Sequence, residues 1–536
     1  MEGTRMDNSK LMKGLARISP AIVAVTMLVG CGGGGGATAP ADKSASTGQG
    51  AAPAAPAAQQ PKEQPKEQPK EPKKISLMMV YYFAEPPKKD NIMVQKIEEM
   101  TNTKLDITWV PNSAYDNKIN ATIASGQLPM VMNVQNNKLS TILSGVRSGL
   151  FWEVGPYLKD YPNLKNLYNE QTTYNASTDG KLYGMPHQRP LGLQMLLYRK
   201  DWLDNLGLKP PETIDDVYNM AKAFTEQDPD KNGKKDTYGL VEFMPKLVSQ
   251  QGFGNALAWF GAPNGFGVKD GKLFPDFTTD EYMDAMKFYR KLFSEKLMNQ
   301  DFAAVQQGQA WDAIAKEKGG MYPAVVAHAT IPNWTALYQA NPNAKLDFVT
   351  RIKGPKGERV FASNGFNGMY MFPKSSIKTE AELKDVLEFI NKLSDPKMEQ
   401  FLVNGIEGRH FKMENGKPVR TDQKLYDDEV TSVIELLITD WKPKLMTGSP
   451  MDEKVNKTYV ENTSIAVPNP TLPLVSNTQI EKGSELDKLI NDARVKYIYG
   501  EIDDAGWKKA IDQWKTSGGD KIIEEYNAEY AKFQKK

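Results

Sequence analysis

The sequence predicts an α/β protein built from more than one lobe. At 536 residues a single hydrophobic core is not expected, and two or three lobes are. From Ile75 onward, strand-like apolar runs alternate with stretches of helical spacing, the pattern of parallel strands joined by helices. Aromatic residues are plentiful, with 9 Trp, 22 Tyr and 20 Phe, and most of them belong in cores because each buries a large area. The formal charge is only +1, which argues against a nucleic-acid binder. Three His and one Cys leave little for a Cys/His zinc site.

The chain opens with a targeting pattern. Arg5, Lys10, Lys13 and Arg17 precede the apolar run "AIVAVTMLVG", which is too short to span a bilayer comfortably. "LVGC", residues 28–31, resembles a bacterial lipobox. That resemblance implies a signal peptide over 1–30 and a lipid on Cys31; the alternative is an ordinary signal peptide with a chance cysteine. Anchoring of this kind needs more than one acyl chain. Residues 31–74 read as a tether, from "GGGGG" to the repeat "PKEQPKEQPKEPKK". The stretch after Cys31 holds no apolar residue larger than Ala until the body begins, so it forms no core.

Folded sequence is expected from near Ile75. "ISLMMVYYF", "KLDITWV" and "MVMNV" read as strands, with "NIMVQKIEEM" and "YDNKINATIASG" as intervening helices. Ligands of such sheets sit beyond the carboxyl ends of the strands, here Phe83 to Pro87, Pro111 to Tyr115 and Gln135 to Asn137. A second lobe is expected after "DGKLYGMPHQRPLGLQMLLYRKDWL". In it "TIDDVYNMAKAF" starts at Thr213 with Asp216 three residues on, a capping-box spacing. "TTDEYMDAMKFYRKLFSEKL" is an amphipathic helix, "NGFNGMYMFPKSS" a glycine-punctuated strand returning to the first lobe, and "AELKDVLEFINKLSDPKMEQFLVNG" is helical up to Gly405. The C-terminal stretch reads as helical, with Trp507 and Trp514 in its core.

Six stretches in order then resemble one family: the lipid-anchored solute-binding proteins of bacterial ABC importers, in the family 1 sugar and oligosaccharide branch that includes aldouronate- and alginate-binding members. They are the lipobox, "IASGQLPMV" (123–131), "DGKLYGMP" (179–186), "YRKDWLDNLGLKPPET" (198–213), "DPDKNGKKDTYGL" (228–240) and "GIEGRHF" (405–411). Met130 stands where the family pattern has Asp, so any role of that carboxylate is lost. The resemblance covers about residues 75–536. It implies a periplasmic-binding-protein-like fold of class II type, with two α/β lobes, crossing hinge strands and an inter-lobe ligand cleft. The lobes are placed at 75–190 with about 364–411, and at 191–363 with about 412–536. It also implies a monomer held at the outer face of the cytoplasmic membrane, with an oligosaccharide ligand, uronate-containing sugars among the candidates. ABC permease subunits would be its partners.

"DPDKNGKKDTYG" opens like an EF-hand calcium loop. Asp228, Asp230, Asn232 and Asp236 supply side-chain oxygens, Lys234 a carbonyl, and Gly233 the turn. Position twelve is Gly239 rather than Glu, and a strand rather than a second helix follows, which excludes a sensor EF-hand. Similar loops in alginate-binding relatives hold Ca²⁺. Thr237 stands where such a relative can have an acidic ligand and would offer a backbone oxygen. The expectation is a structural Ca²⁺ that fixes a helix-to-strand loop; the alternative is a solvated Asn-Gly turn.

Sugar recognition asks for flat apolar faces beside a few placed polar groups. Trp311, Trp334, Trp259 and Phe266 are the aromatic candidates, each weighed against an ordinary core role. Trp109 and Trp202 fall on core spacing. Glu407 and His410 lie on the glycine-rich turn, where Glu407 would accept sugar hydroxyls or cap backbone amides. Arg189, at the first crossing, would pair with a uronate or make an inter-lobe salt bridge. Tyr183 and Gln135 complete the set. The rival readings are a surface glycosidase or lyase and an adhesive lipoprotein. No GxSxG, HExxH or P-loop pattern is present, and 66 acidic residues make chance carboxylate pairs inevitable.

Overall fold

The computed structural model describes residues 71–82, 85–243, 250–329, 334–414, 417–440 and 449–534. The segment expected to be a signal peptide, Cys31 and all but the last residues of the expected tether lie outside these, as does Phe83.

The first sheet has five strands, in the spatial order 103–111, 73–81, 131–134, 366–371, 184–188. The strand Lys73–Tyr81 lies inside the sheet, between 103–111 and 131–134, and is apolar on both faces: Leu77, Met78, Met79 and Val80 are all buried. It runs parallel to 103–111, with Ile75 opposite Leu105 and Val80 opposite Val110, and parallel to 131–134. The crossover helix Ile92–Thr101 starts where Asn91 accepts from the Met93 and Val94 amides and stops at Asn102, whose φ is 54°. The second crossover helix, Tyr115–Ser125, stops at Gly126. The late strand Phe366–Met371 inserts antiparallel between 131–134 and 184–188.

The second sheet has the order 346–349, 194–199, 319–325, 238–240. Alternation along Gln194–Arg199 divides its faces. Leu196 and Tyr198 join one core with Trp202, Trp259, Tyr282, Trp507 and Trp514; Met195 and Leu197 join the other with Tyr322, Trp334 and Phe348. Tyr282 stacks on Trp507 at 5.7 Å and Phe277 meets Trp514 edge-on at 4.9 Å, so the C-terminal helices belong to this lobe. Trp202 is fully buried, and Trp109 is half-buried against the first core. The capping box at Thr213 and Asp216 forms as its spacing predicts.

One boundary differs from expectation. The helix Gln423–Glu429 and the turn 431–436 pack Tyr426, Val430, Val433 and Ile434 into the first core. The first lobe therefore keeps the chain to about residue 440, not 411, because this apolar run covers the face of its central strand. The chain is back in the second lobe by the helix Pro450–Glu461, whose Val455 and Tyr459 lie in that lobe's core.

Two crossings between the lobes are described, 189–193 and 362–365, and they pair with each other. Arg189 N–H donates to Gly365 O at 2.9 Å and Ser363 N–H to Leu191 O at 2.7 Å, and Gly192 opposes Ala362. The Asn462 amide donates to Gly192 O and Gln194 O from beneath. Gly192 is required there, since a Cβ would overlap Asn462.

Glu242 is wholly buried in the second lobe, taking one hydrogen bond from Tyr289 Oη at 2.7 Å. Burial pushes its carboxyl up to about 8, the Tyr289 bond and Arg494 pulling the other way. The unfolded chain releases this proton at ordinary carboxyl pH, while the native protein keeps it. Stability contributed at this site is thus present in acid and lost as pH rises through about 8. Glu242→Gln is expected to raise the unfolding midpoint at pH 8 relative to wild type and to flatten the decline between pH 5 and 8. Parallel wild-type and variant profiles by thermal unfolding would show that the site does not titrate in this range.

Candidate functional site

The carboxyl end of the 131–134 strand, the hinge and the late strand converge on two adjoining cavities of about 160 and 470 Å³ that share Asn364, Phe366 and Asn367. The first lobe contributes Gln135, Asn136, Asn137, Lys138, Asn175 and Glu435. The hinge adds Arg189, Pro190 and Ser363, and the second lobe Leu193 and Gln250. The surface is thus an inter-lobe cleft dominated by carboxamides, each of which both donates and accepts.

Local structure explains the placement. Gly368 takes a φ of 76°, and a Cβ there would stand 2.6 Å from Gln135 Nε2. The late strand can therefore lie against Gln135, and its register shifts between Phe366 and Met369. Tyr82 Oη donates to Gln135 Oε1 at 2.6 Å and receives Asn367 Nδ2 at 3.2 Å. Asn175 Nδ2 holds Asn364 O at 2.9 Å, and Gln250 Nε2 holds Ala362 O at 3.1 Å. Asn137 Nδ2 and Gln250 Oε1 are buried with no protein partner. Phe366 is half-buried and supplies an apolar face.

Arg189 donates Nη2 to both Glu435 oxygens at 3.1 Å and Nη1 to Gln188 O at 2.8 Å. Its charge is therefore met within the protein. His187, behind Glu435, meets Tyr370 edge-on at 4.4 Å, and burial followed by the Arg189 charge holds its pKa well below the usual imidazole value. Lys138 lines the smaller cavity, and its Nζ donates to Pro473 O at 3.0 Å. Burial lowers its ammonium to about 8.

The structure separates the sequence candidates. Gln135 and Arg189 line the cleft. Trp259 and Trp334 do not: each is only 2–3% exposed within a second-lobe core, and Trp334 Nε1 donates to His328 O. Their spacing placed them on loops, but the sheet's two apolar faces claim them. Trp311 is half-buried, edge-on to His328 at 5.0 Å, and lines neither cavity. Phe266 meets Tyr526 at 5.3 Å and lines a different, second-lobe cavity with Asp276 and Arg494. Tyr183 packs half-buried against the first core. Glu407 is exposed on its turn. His410 is buried, Nδ1 accepting from Ile406 N–H and Nε2 facing Glu429 Oε2 at 2.9 Å, while Arg409 pairs with the same carboxylate at 2.6 Å. That turn closes on Glu429, so it serves the first lobe rather than the cleft. Among the cleft residues that sequence reading missed are Lys138, Asn175, Gln250, Asn364, Phe366, Asn367 and Glu435; the doubled Asn-Gly signal in "SNGFNG" was the available clue.

The acidic loop follows the helix Ile214–Glu226 and precedes the strand Tyr238–Leu240. Asp228 accepts from the Asn232 and Gly233 amides at 3.1 and 3.0 Å. Asp230 and Asp236 converge on Asn232 Nδ2 at 2.7 and 3.2 Å, and Lys318 meets Asp236 at 2.6 Å. The Lys234 amide donates to Asn232 Oδ1. Burial, then Asp228 beside it, raises the Asp230 carboxyl. Thr237 Oγ1 turns to Phe224 O, so its side chain is no ligand. No group of three or more His, Cys, Asp or Glu among the described residues stands as a formed metal cage. The donor chemistry still suits a hard cation: Asp230 and Asp236 meet on the Asn232 side-chain amide, and Asp228 lies on the backbone amides beside it.

A model of bacterial extracellular solute-binding proteins matches residues 84–400. The chain belongs to this family. It is 39% identical over 457 residues to the polygalacturonan/rhamnogalacturonan-binding protein YtcQ of Bacillus subtilis (strain 168), covering 84% of this chain and 90% of the relative. Lipoprotein LipO of the same organism is 38% identical over 475 residues, covering 85% and 92%. An HMO-binding, ABC-transporter-associated solute-binding protein from Bifidobacterium longum infantis ATCC 15697 superposes with a TM-score of 0.66 at 18% identity, covering 86% of this chain and 99% of that one. The two-lobed solute-binding fold is shared.

In this solute-binding protein, Asn367→Ala and Phe366→Ala are expected to weaken ligand binding while leaving the unfolding midpoint nearly unchanged. Trp334→Ala is expected to cost about 3–5 kcal/mol of stability, read by denaturant unfolding. A stable Trp334→Ala protein with impaired binding would move the cleft into the second lobe.

Proposed function

We propose that this protein captures an acidic oligosaccharide, of galacturonate-containing type, by closing its lobes, and delivers it to the permease of an ABC importer. The observation that carries the reading is the inter-lobe cleft itself. Its wall is made of carboxamides able to meet sugar hydroxyls, with Phe366 as an apolar face and Lys138 as a cation. The binding named for YtcQ supports the acidic sugar. Ligand touching both lobes favours the closed state over the open one. Residues from both lobes of one chain line the cleft, which favours a monomer. The lipobox-like "LVGC" and the relative named as a lipoprotein support a lipid anchor on Cys31 at the outer membrane face. Binding rather than turnover is favoured because Glu435 is the one carboxylate that lines the two cavities among the described residues, whereas glycoside hydrolysis ordinarily uses two.

The acidic loop would hold a structural Ca²⁺ through Asp228, Asp230, Asn232, Lys234 and Asp236. The bound ion would neutralise their crowding and fix the passage from helix to strand.

Calorimetric titration with galacturonate oligomers should give saturable binding, with a smaller radius of gyration in solution scattering. At about 100 Kd of ligand the native state gains about 2.7 kcal/mol. Flat titrations with acidic and neutral oligosaccharides alike, at constant radius, would sink the reading. Separately, EDTA should lower the unfolding midpoint of wild type, and Asp228→Ala should abolish that sensitivity. A wild-type midpoint indifferent to both EDTA and added Ca²⁺ would remove the ion from the account.

A further inference from the structure

We propose that Lys138 is the carboxylate-recognising residue of the cleft and sets a preference for acidic over neutral oligosaccharides. The inference rests on the carbohydrate reading above and adds to it the group that selects the charge.

The residue expected from sequence to do this was Arg189, and the structure commits it elsewhere. Its guanidinium is matched to both oxygens of Glu435, a carboxylate only 9% exposed. Turning it to a ligand would leave a nearly buried anion without its partner, which is strongly unfavourable. Lys138 has the opposite situation. Among the described residues lining the smaller cavity it is the one that carries a charge. An ammonium has three donors, and the hydrogen bond found for it is to the Pro473 carbonyl; no ion pair of Lys138 is found among the described residues. Asn136, Asn137 and Asn367 flank it with neutral donors and acceptors, and Asn137 Nδ2 is a buried donor without a protein partner. A uronate can therefore place its carboxylate on Lys138 and its hydroxyls on the carboxamides beside it. Because Glu435 cancels Arg189, the described residues lining the two cavities together carry a net charge near +1, and a carboxylate brings that to neutrality.

The cation's environment sharpens the argument. The charged groups acting on Lys138 from neighbouring elements are Asp179, Arg147 and Glu529. Asp179 lies 3.5 Å from Arg147, and Glu529 pairs with Lys532 at 2.5 Å, so each already has a partner. Burial dominates and brings the proton's release down to about 8. A bound carboxylate favours the charged form and raises this value. Affinity for an acidic ligand is therefore greatest below pH 8 and falls as pH rises past it, while binding of a neutral ligand lacks that fall.

The test compares trigalacturonate with its methyl ester by calorimetry, using the full chain and its Lys138→Gln and Lys138→Arg variants. Wild type is expected to prefer the acid by about tenfold or more. Lys138→Gln should remove that preference and Lys138→Arg should retain it. The preference of wild type should shrink between pH 7 and 9. Circular dichroism and the unfolding midpoint establish that the variants fold; the Lys138→Arg arm carries the test if Lys138→Gln does not fold, since loss of preference there with intact ester binding counts against the proposal. Wild type that binds the acid preferentially, with Lys138→Gln equally selective, overturns the role of Lys138 alone. Wild type that binds acid and ester equally also overturns it. Wild type that binds neither overturns the carbohydrate reading, and this inference with it.

Discussion

The architecture depends on two crossing segments being paired with each other before either enters a sheet. Gly365 and Leu191 offer their carbonyls to the amides of Arg189 and Ser363, and Asn462 braces the pair through Gly192 and Gln194. A lone crossing strand would expose unpaired backbone at the bottom of a cleft, where burial makes that costly. Two crossings joined as a ladder satisfy each other and leave their side chains free to face the ligand space. This is why Arg189, Asn364 and Ser363 arrive in the cavity wall from distant parts of the chain. It also confines bending to a short ladder, so the lobes can move as bodies around a fixed floor.

Charge at that floor is settled internally. Arg189 and Glu435 neutralise one another, and burial together with Arg189 keeps His187 neutral behind them. A charged pair of this kind contributes orientation more than stability. It ties the turn 431–436, which covers the first lobe's central strand, to the hinge. The segment that closes the first core is thereby also the one that disarms the hinge arginine, and among the described lining residues Lys138 is the cation left to present.

Much of the fold was legible because it rests on local signals. The run "ISLMMVYYF" could only be a strand buried on both faces, and Thr213 with Asp216 formed its cap. The rule that ligands lie past strand ends pointed to Gln135 to Asn137, and these residues line the smaller cavity. Side-chain destinations that depend on tertiary packing were not legible. Trp334 and Trp259 have loop-like neighbours in sequence, yet the sheet they flank has two apolar faces to fill, and large aromatics fill them. His410 sits on a glycine-rich turn, but Glu429, nineteen residues on, draws it into the first lobe. Asn364, Phe366 and Asn367 were read as strand residues because glycine punctuation in a strand does not announce the register shift that exposes them.

Why a cleft of this type should be made of carboxamides follows from what closure has to accomplish. Charged side chains would have to be dehydrated when the lobes meet, at a cost that only a matching charge offsets. Carboxamides lose less, but each donor and acceptor still needs a partner once water is expelled. Asn137 Nδ2 and Gln250 Oε1, one on each lobe, are already buried without protein partners. Shutting the cleft on nothing would add to that deficit, whereas shutting it on a polyhydroxylated ligand would cancel it from both sides. The closed state is then stabilised by the ligand rather than by lobe-to-lobe contact, and closure can report occupancy to whatever receives the solute.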